Sequence, residues 1–196
     1  MKKAIYLILA LLILAAVVLS GCEKKEEEIG ADINTQEALQ SIMDNAKAAV
    51  GESAFIPFTL DAPVTNENCK GYLGLTAEQF GEHVLESYTI IAALSSQAFD
   101  LALVKCKDYA SAKEVKKLIA EGFNPSERVC ATSEVAFVVE SGRFVLLGGV
   151  GADTAEAFQK AFDEQFETKS GEVNKFFERG ADFVDGGGFG GLLPVD

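Results

Sequence analysis

Cys22 is the residue whose surroundings most clearly indicate a defined chemistry. It ends a stretch, residues 4–21, of eighteen positions without a charged side chain, and this stretch follows a short basic N-terminus. The three residues directly before it are Leu19, Ser20 and Gly21. Small side chains at the last two positions fit a narrow peptidase site, and the Cys22 thiol is a nucleophile that can accept a lipid.

This pattern is the lipobox read by the bacterial lipoprotein signal peptidase, and the chain resembles an exported lipoprotein. We therefore expect residues 1–21 to be a removed signal peptide and Cys22 to carry fatty acyl chains such as palmitate. The protein would then be lipid-anchored on the extracytoplasmic face of the cell membrane. The alternative is a single transmembrane helix, since eighteen residues span about 27 Å. The polar run that starts at Glu23 favours the lipoprotein.

The charge of the chain argues against nucleic acid as a partner. Loss of Lys2 and Lys3 with the signal peptide leaves 15 Lys and Arg against 30 Asp and Glu, a net charge of −15. Such a surface repels phosphate backbones. It also disfavours docking on anionic headgroups, so membrane attachment would depend on the lipid at Cys22.

Three cysteines follow Cys22, namely Cys69, Cys106 and Cys130. Their neighbours are small or apolar, their spacing matches no zinc site, and we predict buried thiols. The alternative is one disulfide, which would join Cys106 to Cys130 or to Cys69.

The pattern along the chain predicts one α+β domain over residues 34–167, between a charged tether at 22–33 and a C-terminal extension at 168–196. Helices are predicted after Asn34, after Thr76, after Ser111 and after Asp153 or Thr154. Strands are predicted over residues 55–60, 88–94, 99–106, 135–140 and 143–150, with a loop over 61–74. The strands form hairpins, so we expect a small, mostly antiparallel sheet with about four helices packed on one face. A short helix with Phe176 and Phe177 and a flexible glycine-rich end at 185–196 complete the prediction.

Residues 72–167 resemble a family of small bacterial lipoproteins, mostly Gram-positive, that is catalogued as a domain of unknown function. The segments that carry the resemblance are 74–78, 101–105, 112–120, 135–139, 142–147 and 153–166. The resemblance implies the same location, on the extracytoplasmic face of the membrane, and an α+β fold. It implies no activity, cofactor or site residue.

Three other features of the sequence contain residue types that could do chemistry. The glycines of residues 148–154 precede a helix, where an anion could bind, but the third glycine of a dinucleotide motif and the Lys of a P-loop are absent, which favours a tight turn. His83 is the only histidine, so paired imidazoles for zinc are excluded, and we expect it on a solvated helix face. Glu78, Glu82 and Glu86 would share one helix face and solvate it.

No complete catalytic, metal or cofactor motif is present, so we expect a non-catalytic accessory or binding module of the cell envelope. Its partner would be an envelope protein, a wall polymer or a small ligand. The alternative is a small envelope hydrolase that uses carboxylates dispersed in the sequence.

Overall fold

The computed structural model describes residues 32–51, 59–93, 99–127, 133–171 and 173–179. The described helices are α1 (Thr35–Val50), α2 (Cys69–Leu73), α3 (Ala77–His83), α4 (Tyr109–Gly122) and α5 (Ala155–Gln165). The described strands are β1 (Thr59–Pro63), β2 (Val84–Ala92), β3 (Asp100–Cys106), β4 (Val135–Ser141), β5 (Phe144–Val150) and β6 (Lys175–Glu178). The predicted α+β class is confirmed.

All six strands belong to one antiparallel sheet with the order β1-β2-β3-β5-β4-β6. The β2–β3 and β4–β5 pairs are the two predicted hairpins. Strand β5 also pairs with β3 over Asp100↔Gly149 to Lys105↔Phe144, and this ladder joins the two hairpins into one sheet.

Helices cover both faces of the sheet, which corrects the expectation of helices on one face. Helices α1 and α5 pack on the first face, where alternate strand residues such as Leu101, Leu103 and Leu146 meet them. Helices α2, α3 and α4 pack on the second face, over Ala102, Val104 and their neighbours. Because side chains alternate between the faces of a strand, a central strand covered on both sides is apolar throughout. Strand β5 is buried at every position.

One face of helix α5 is aromatic and forms part of the core. Phe158 and Phe162 are fully buried, and the ring of Phe166 stacks on Phe144 with centroids 4.5 Å apart. Burial of each such side chain contributes about 2–3 kcal/mol to folding. The aromatic side chains therefore act as packing, not as an exposed partner surface.

Several predicted boundaries differ from the structure. The segment 61–74 contains the end of β1 and helix α2 instead of a loop, and α3 ends at His83, so Val84 and Leu85 belong to β2. The N-cap of α4 is Asp108, which accepts from the Ser111 backbone, instead of Ser111 itself.

The predicted short helix with Phe176 and Phe177 is wrong, because these residues lie in β6. Strand β6 pairs with the edge of β4, and Phe176 packs edge-on against Phe123 of the second face. The sheet thus extends beyond residue 167. The predicted strand over 55–58 and the glycine-rich end at 185–196 lie outside the described residues.

Candidate functional site

A groove lies between helix α1 and strands β1 and β2 in the described part of the chain. Its volume is about 220 Å³. The residues that line this α1–β1 groove are Gln36, Glu37, Leu39, Gln40, Asp61, Tyr88, Thr89 and Ile90. It lies beside β1, which is the edge strand of the sheet that the described residues form.

The helical repeat of α1 places its polar side chains at the groove. Gln36 and Gln40 are one turn apart and exposed, whereas Leu39 faces inward and is buried with Ile90 to form an apolar floor. The Gln36 side-chain Nε2 donates to Asp61 Oδ2 at 2.9 Å, which connects α1 to β1 across the groove. Amide and carboxylate groups over an apolar floor can hold a small polar ligand by hydrogen bonds.

The glycine-rich segment 148–154 is not an anion site. Gly148 and Gly149 lie within β5, where a side chain would collide with Phe137 and Ser133. The backbone N–H of Ala152 before α5 already donates to the Glu134 carboxylate at 2.8 Å. A bound carboxylate and the nearby Asp153 oxygen would repel a phosphate. The predicted tight turn before a helix is the better description of this segment.

His83 and Cys106 lie side by side at one end of the sheet, but they do not form a reactive pair. The backbone N–H of Lys107 donates to the His83 carbonyl, and Cys106 pairs with Val84. Burial, with a smaller contribution from the Asp108 carboxylate, raises the pKa of the Cys106 thiol to about 12. The thiolate is the nucleophilic form, so Cys106 is unreactive near neutral pH.

The side chain of His83 is less solvated than predicted. Its side chain is 19% exposed, and its Nε2 lies 3.9 Å from Glu82 Oε2. The three glutamates predicted on one helix face do not all lie on a helix. Glu78 and Glu82 are exposed on α3, which ends at His83. Glu86 lies in β2, and its carboxylate accepts from the Thr35 hydroxyl.

Cys69 and Cys106 are free and buried, so the disulfide between them is excluded. The Cys69 thiol donates to the Leu75 carbonyl, and burial raises the pKa of this thiol. Cys130 lies outside the described residues. The prediction of buried thiols is confirmed for Cys69 and Cys106.

The predicted lipidation site and its recognition residues, Leu19, Ser20, Gly21 and Cys22, lie outside the described residues. Among the residues that are described, none of the helices has the length and apolar character needed to cross a bilayer. Within the same ranges, no three acidic, histidine or cysteine side chains are grouped so that they could hold a metal ion.

The α1–β1 groove could not be found from the sequence pattern. Gln36 and Asp61 are 25 positions apart, and Asp61 falls in the segment that the pattern assigns to a loop. The spacing of Gln36 and Gln40 on one helix face is the only local sign, and polar residues at this spacing occur on most exposed helix faces.

A comparison of this chain with protein-family models, with curated proteins and with solved structures found no match.

Proposed function

We propose that this protein is a membrane-anchored extracytoplasmic lipoprotein whose domain is a non-catalytic binding module of the cell envelope. The observation that carries the proposal is Leu19-Ser20-Gly21-Cys22 after a long uncharged run, ten residues before the first described residue, Asp32. A lipid on Cys22 would hold a separately folded domain at the membrane through a short hydrophilic tether.

The α1–β1 groove is the binding site that we assign to this module. It combines an apolar floor at Leu39 and Ile90 with exposed amides and carboxylates on its walls. Two other kinds of site are disfavoured. Anion binding at the start of α5 is disfavoured because the Ala152 N–H already donates to the Glu134 carboxylate. Thiol catalysis is disfavoured because burial keeps the Cys106 thiol protonated. A wall polymer, an envelope protein or a small polar ligand would fit a groove of this kind.

Metabolic labelling with a clickable fatty acid tests the anchor. We expect the protein to take up the label and to fractionate with membranes, and Cys22→Ala to lose both properties. Mass spectrometry of the N-terminal peptide would identify the acyl chains. Label that persists in Cys22→Ala would show that the lipid is not on this thiol and would contradict the anchor.

Site-specific photo-crosslinking in cells tests the groove. A photoreactive residue at Gln40 should give a discrete adduct, and the same residue at Ala49 should not. Ala49 is the matched control because it is exposed on the same helix and does not line the groove. Equal adducts at both positions would refute the assignment of the groove.

A hydrolase is the second candidate, and one observation favours it: the carboxylates Glu37 and Asp61 both line the α1–β1 groove. Two carboxylates that flank one cleft can act as acid and base in glycoside hydrolysis. Turnover of a wall polymer that is lost in Glu37→Gln and Asp61→Asn, with the fold retained, would replace the binding module by this enzyme. Binding without turnover would exclude it.

A further inference from the structure

Two acidic residues and one aromatic ring meet at the α1–β1 groove. Asp61 of β1 lies opposite Ile90 of β2, and Tyr88 lies two positions from Ile90 on the same face of the sheet. Asp61 and Tyr88 are therefore diagonal neighbours on the two strands, about 7–8 Å apart. Tyr88 is half-buried against the core of the first face, and Glu37 of α1 is the second acidic residue of the groove.

The groove carries negative charge. No lysine, arginine or histidine is among the described residues that line it. The partial positive charge at the start of α1 is offset, because Asn34 caps this helix and Glu37 lies in its first turn. Asp44 adds a third carboxylate one turn beyond Gln40. The potential at the groove therefore favours a cation over an anion.

The closest basic side chains do not cancel this charge. Lys47 follows Gln40 on α1 by seven residues, which is about 10 Å along the helix. Lys105 of β3 donates from Nζ to the Ile33 carbonyl at 3.0 Å, and on the sheet it lies opposite Glu86. The charge of Lys105 is thus compensated outside the groove.

The hydrogen bonds within the groove leave acceptors for a ligand. Gln36 Nε2 donates to Asp61 Oδ2 at 2.9 Å, and Gln40 Nε2 donates to Asp44 Oδ1 at 2.9 Å. Each amide nitrogen uses a hydrogen on a carboxylate of the protein, and each amide oxygen remains an acceptor. A ligand group that is rich in donors is complementary to these oxygen atoms.

We propose that the α1–β1 groove binds an alkyl ammonium group, an inference that rests on the proposed binding module. An ammonium group has three N–H donors and no acceptor, which matches the carboxylates of Asp61 and Glu37 and the amide oxygens. The ring of Tyr88 attracts a cation that lies within about 6 Å of its centroid. Leu39 and Ile90 form an apolar floor for the methylene groups next to the nitrogen.

The size of the groove suits the end of a chain. Its volume of about 220 Å³ is below the roughly 300–1,000 Å³ of pockets that hold drug-sized ligands. A single aminoalkyl group fits such a groove, and the rest of the ligand stays in solvent. A free diamine and an amine on a wall polymer present this same group.

Saturation-transfer NMR tests the inference. Full-length protein, purified in dodecyl maltoside, is titrated with cadaverine or with pentanediol, which has hydroxyls in place of the ammonium groups. Asp61→Asn removes the charge and keeps an acceptor for Gln36, and Tyr88→Leu removes the ring. Glu78→Gln is the matched control, because it removes the same charge from an exposed side chain of α3 on the second face.

We expect cadaverine to bind about tenfold more tightly than pentanediol, since each of two exposed carboxylates contributes a factor of about three. Asp61→Asn should weaken cadaverine binding about threefold, and Tyr88→Leu should weaken it by a similar factor. Glu78→Gln should leave it unchanged. Absence of cadaverine binding, equal binding of the two probes, or equal losses in Asp61→Asn and Glu78→Gln would refute the ammonium site.

The photo-crosslink at Gln40 separates this inference from the proposed function. A discrete adduct at Gln40 without a preference for cadaverine would refute the ammonium site and leave the binding module intact. Loss of both would refute the groove as a binding site.

Retention on purified cell wall, before and after acetylation of the wall amines, identifies the source once cadaverine binding is established. Retention that is lost on acetylation assigns the amine to a wall polymer. Retention that is unchanged or absent assigns it to a free amine.

Discussion

The cross-strand pair of Phe137 and Gly148 permits a quantitative test of the sheet. Phe137 of β4 lies directly opposite Gly148 of β5, and its ring covers the glycine. A Cβ added at Gly148 would be 2.2 Å from Phe137 Cε1 and 2.5 Å from Cζ. Carbon atoms in contact normally lie about 3.5–4.0 Å apart, so the ring or the strand must move.

The cost of Gly148→Ala follows from this overlap. Phe137 is fully buried in the core beneath α1 and α5, and it cannot shift without displacing its neighbours. Overpacking of a core costs about 1–3 kcal/mol, and an overlap of this size with a fixed ring belongs at the upper end. Alanine also lowers the conformational entropy of the unfolded chain, which offsets about 0.5–1 kcal/mol of this loss of stability. We therefore expect a net loss of about 2 kcal/mol.

Gly81→Ala is the matched control, because this glycine lies in helix α3 and the nearest atom to its added Cβ, Asn66 Oδ1, is 3.8 Å away. Alanine in a helix should stabilise the protein by about 0.5–1 kcal/mol. Urea unfolding followed by circular dichroism measures both changes. With a slope of about 2 kcal/mol per molar urea, Gly148→Ala should lower the midpoint by about 1 M and Gly81→Ala should raise it.

A double-mutant cycle identifies the cause of the loss. Phe137→Leu removes the ring, so the double variant with Gly148→Ala should lose less stability than the sum of the two single variants. A midpoint for Gly148→Ala at or above that of the parent protein would refute the reasoning, since it would mean that Phe137 does not lie over this glycine. Additive losses would assign the destabilisation to the strand backbone.

Three further predictions follow from buried or capped groups. Gly74→Ala should cost about 3 kcal/mol in urea unfolding, because the backbone φ is +73° and a Cβ would be 2.2 Å from the Gly122 carbonyl carbon; a small loss would contradict this close approach. Asp108→Ala removes the N-cap of α4 and should cost about 1 kcal/mol at pH 7. The bond from Ser111 lowers the pKa of Asp108 in the folded protein, so this contribution is present above the unfolded pKa of about 3.9 and is lost as the pH falls through the folded pKa; a difference between the two proteins that persists in acid, measured by thermal unfolding, would exclude a charged cap. Alkylation at pH 8 followed by peptide mapping should leave Cys69 and Cys106 unmodified until urea is added, and rapid modification of either would contradict its burial.

The sequence pattern predicts elements well where one segment contains both its apolar stripe and its end signals. Helix α1 begins at Asn34, whose side chain accepts from the Glu37 N–H, and it ends at Gly51 with φ of +91°. Both signals are local, and the one at Asn34 predicts the start of this helix. The β4–β5 hairpin is similar, because two apolar runs flank a turn with Gly142.

Elements that depend on distant contacts are predicted poorly. Strand β6 is four residues long and pairs with an edge that is formed some forty residues earlier, so Phe176 and Phe177 carry no periodicity that separates strand from helix. Helix α2 has five residues and is fixed by the burial of Cys69 and Leu73 against the second face. The α1–β1 groove cannot be predicted for the same reason, because its lining residues are distant in the sequence and come together only when the sheet forms.

The place of β5 between β3 and β4 also sets the order in which the domain can fold. As the chain is synthesised, β3 is complete at Cys106, but the strand that pairs with its open edge ends at Val150. Until then β3 is an edge strand with apolar side chains on both faces, and these side chains gain their full burial only after β5 has inserted. The N-terminal half therefore remains incomplete until most of the chain has been made, and the stability of the two halves is acquired in one late, cooperative step.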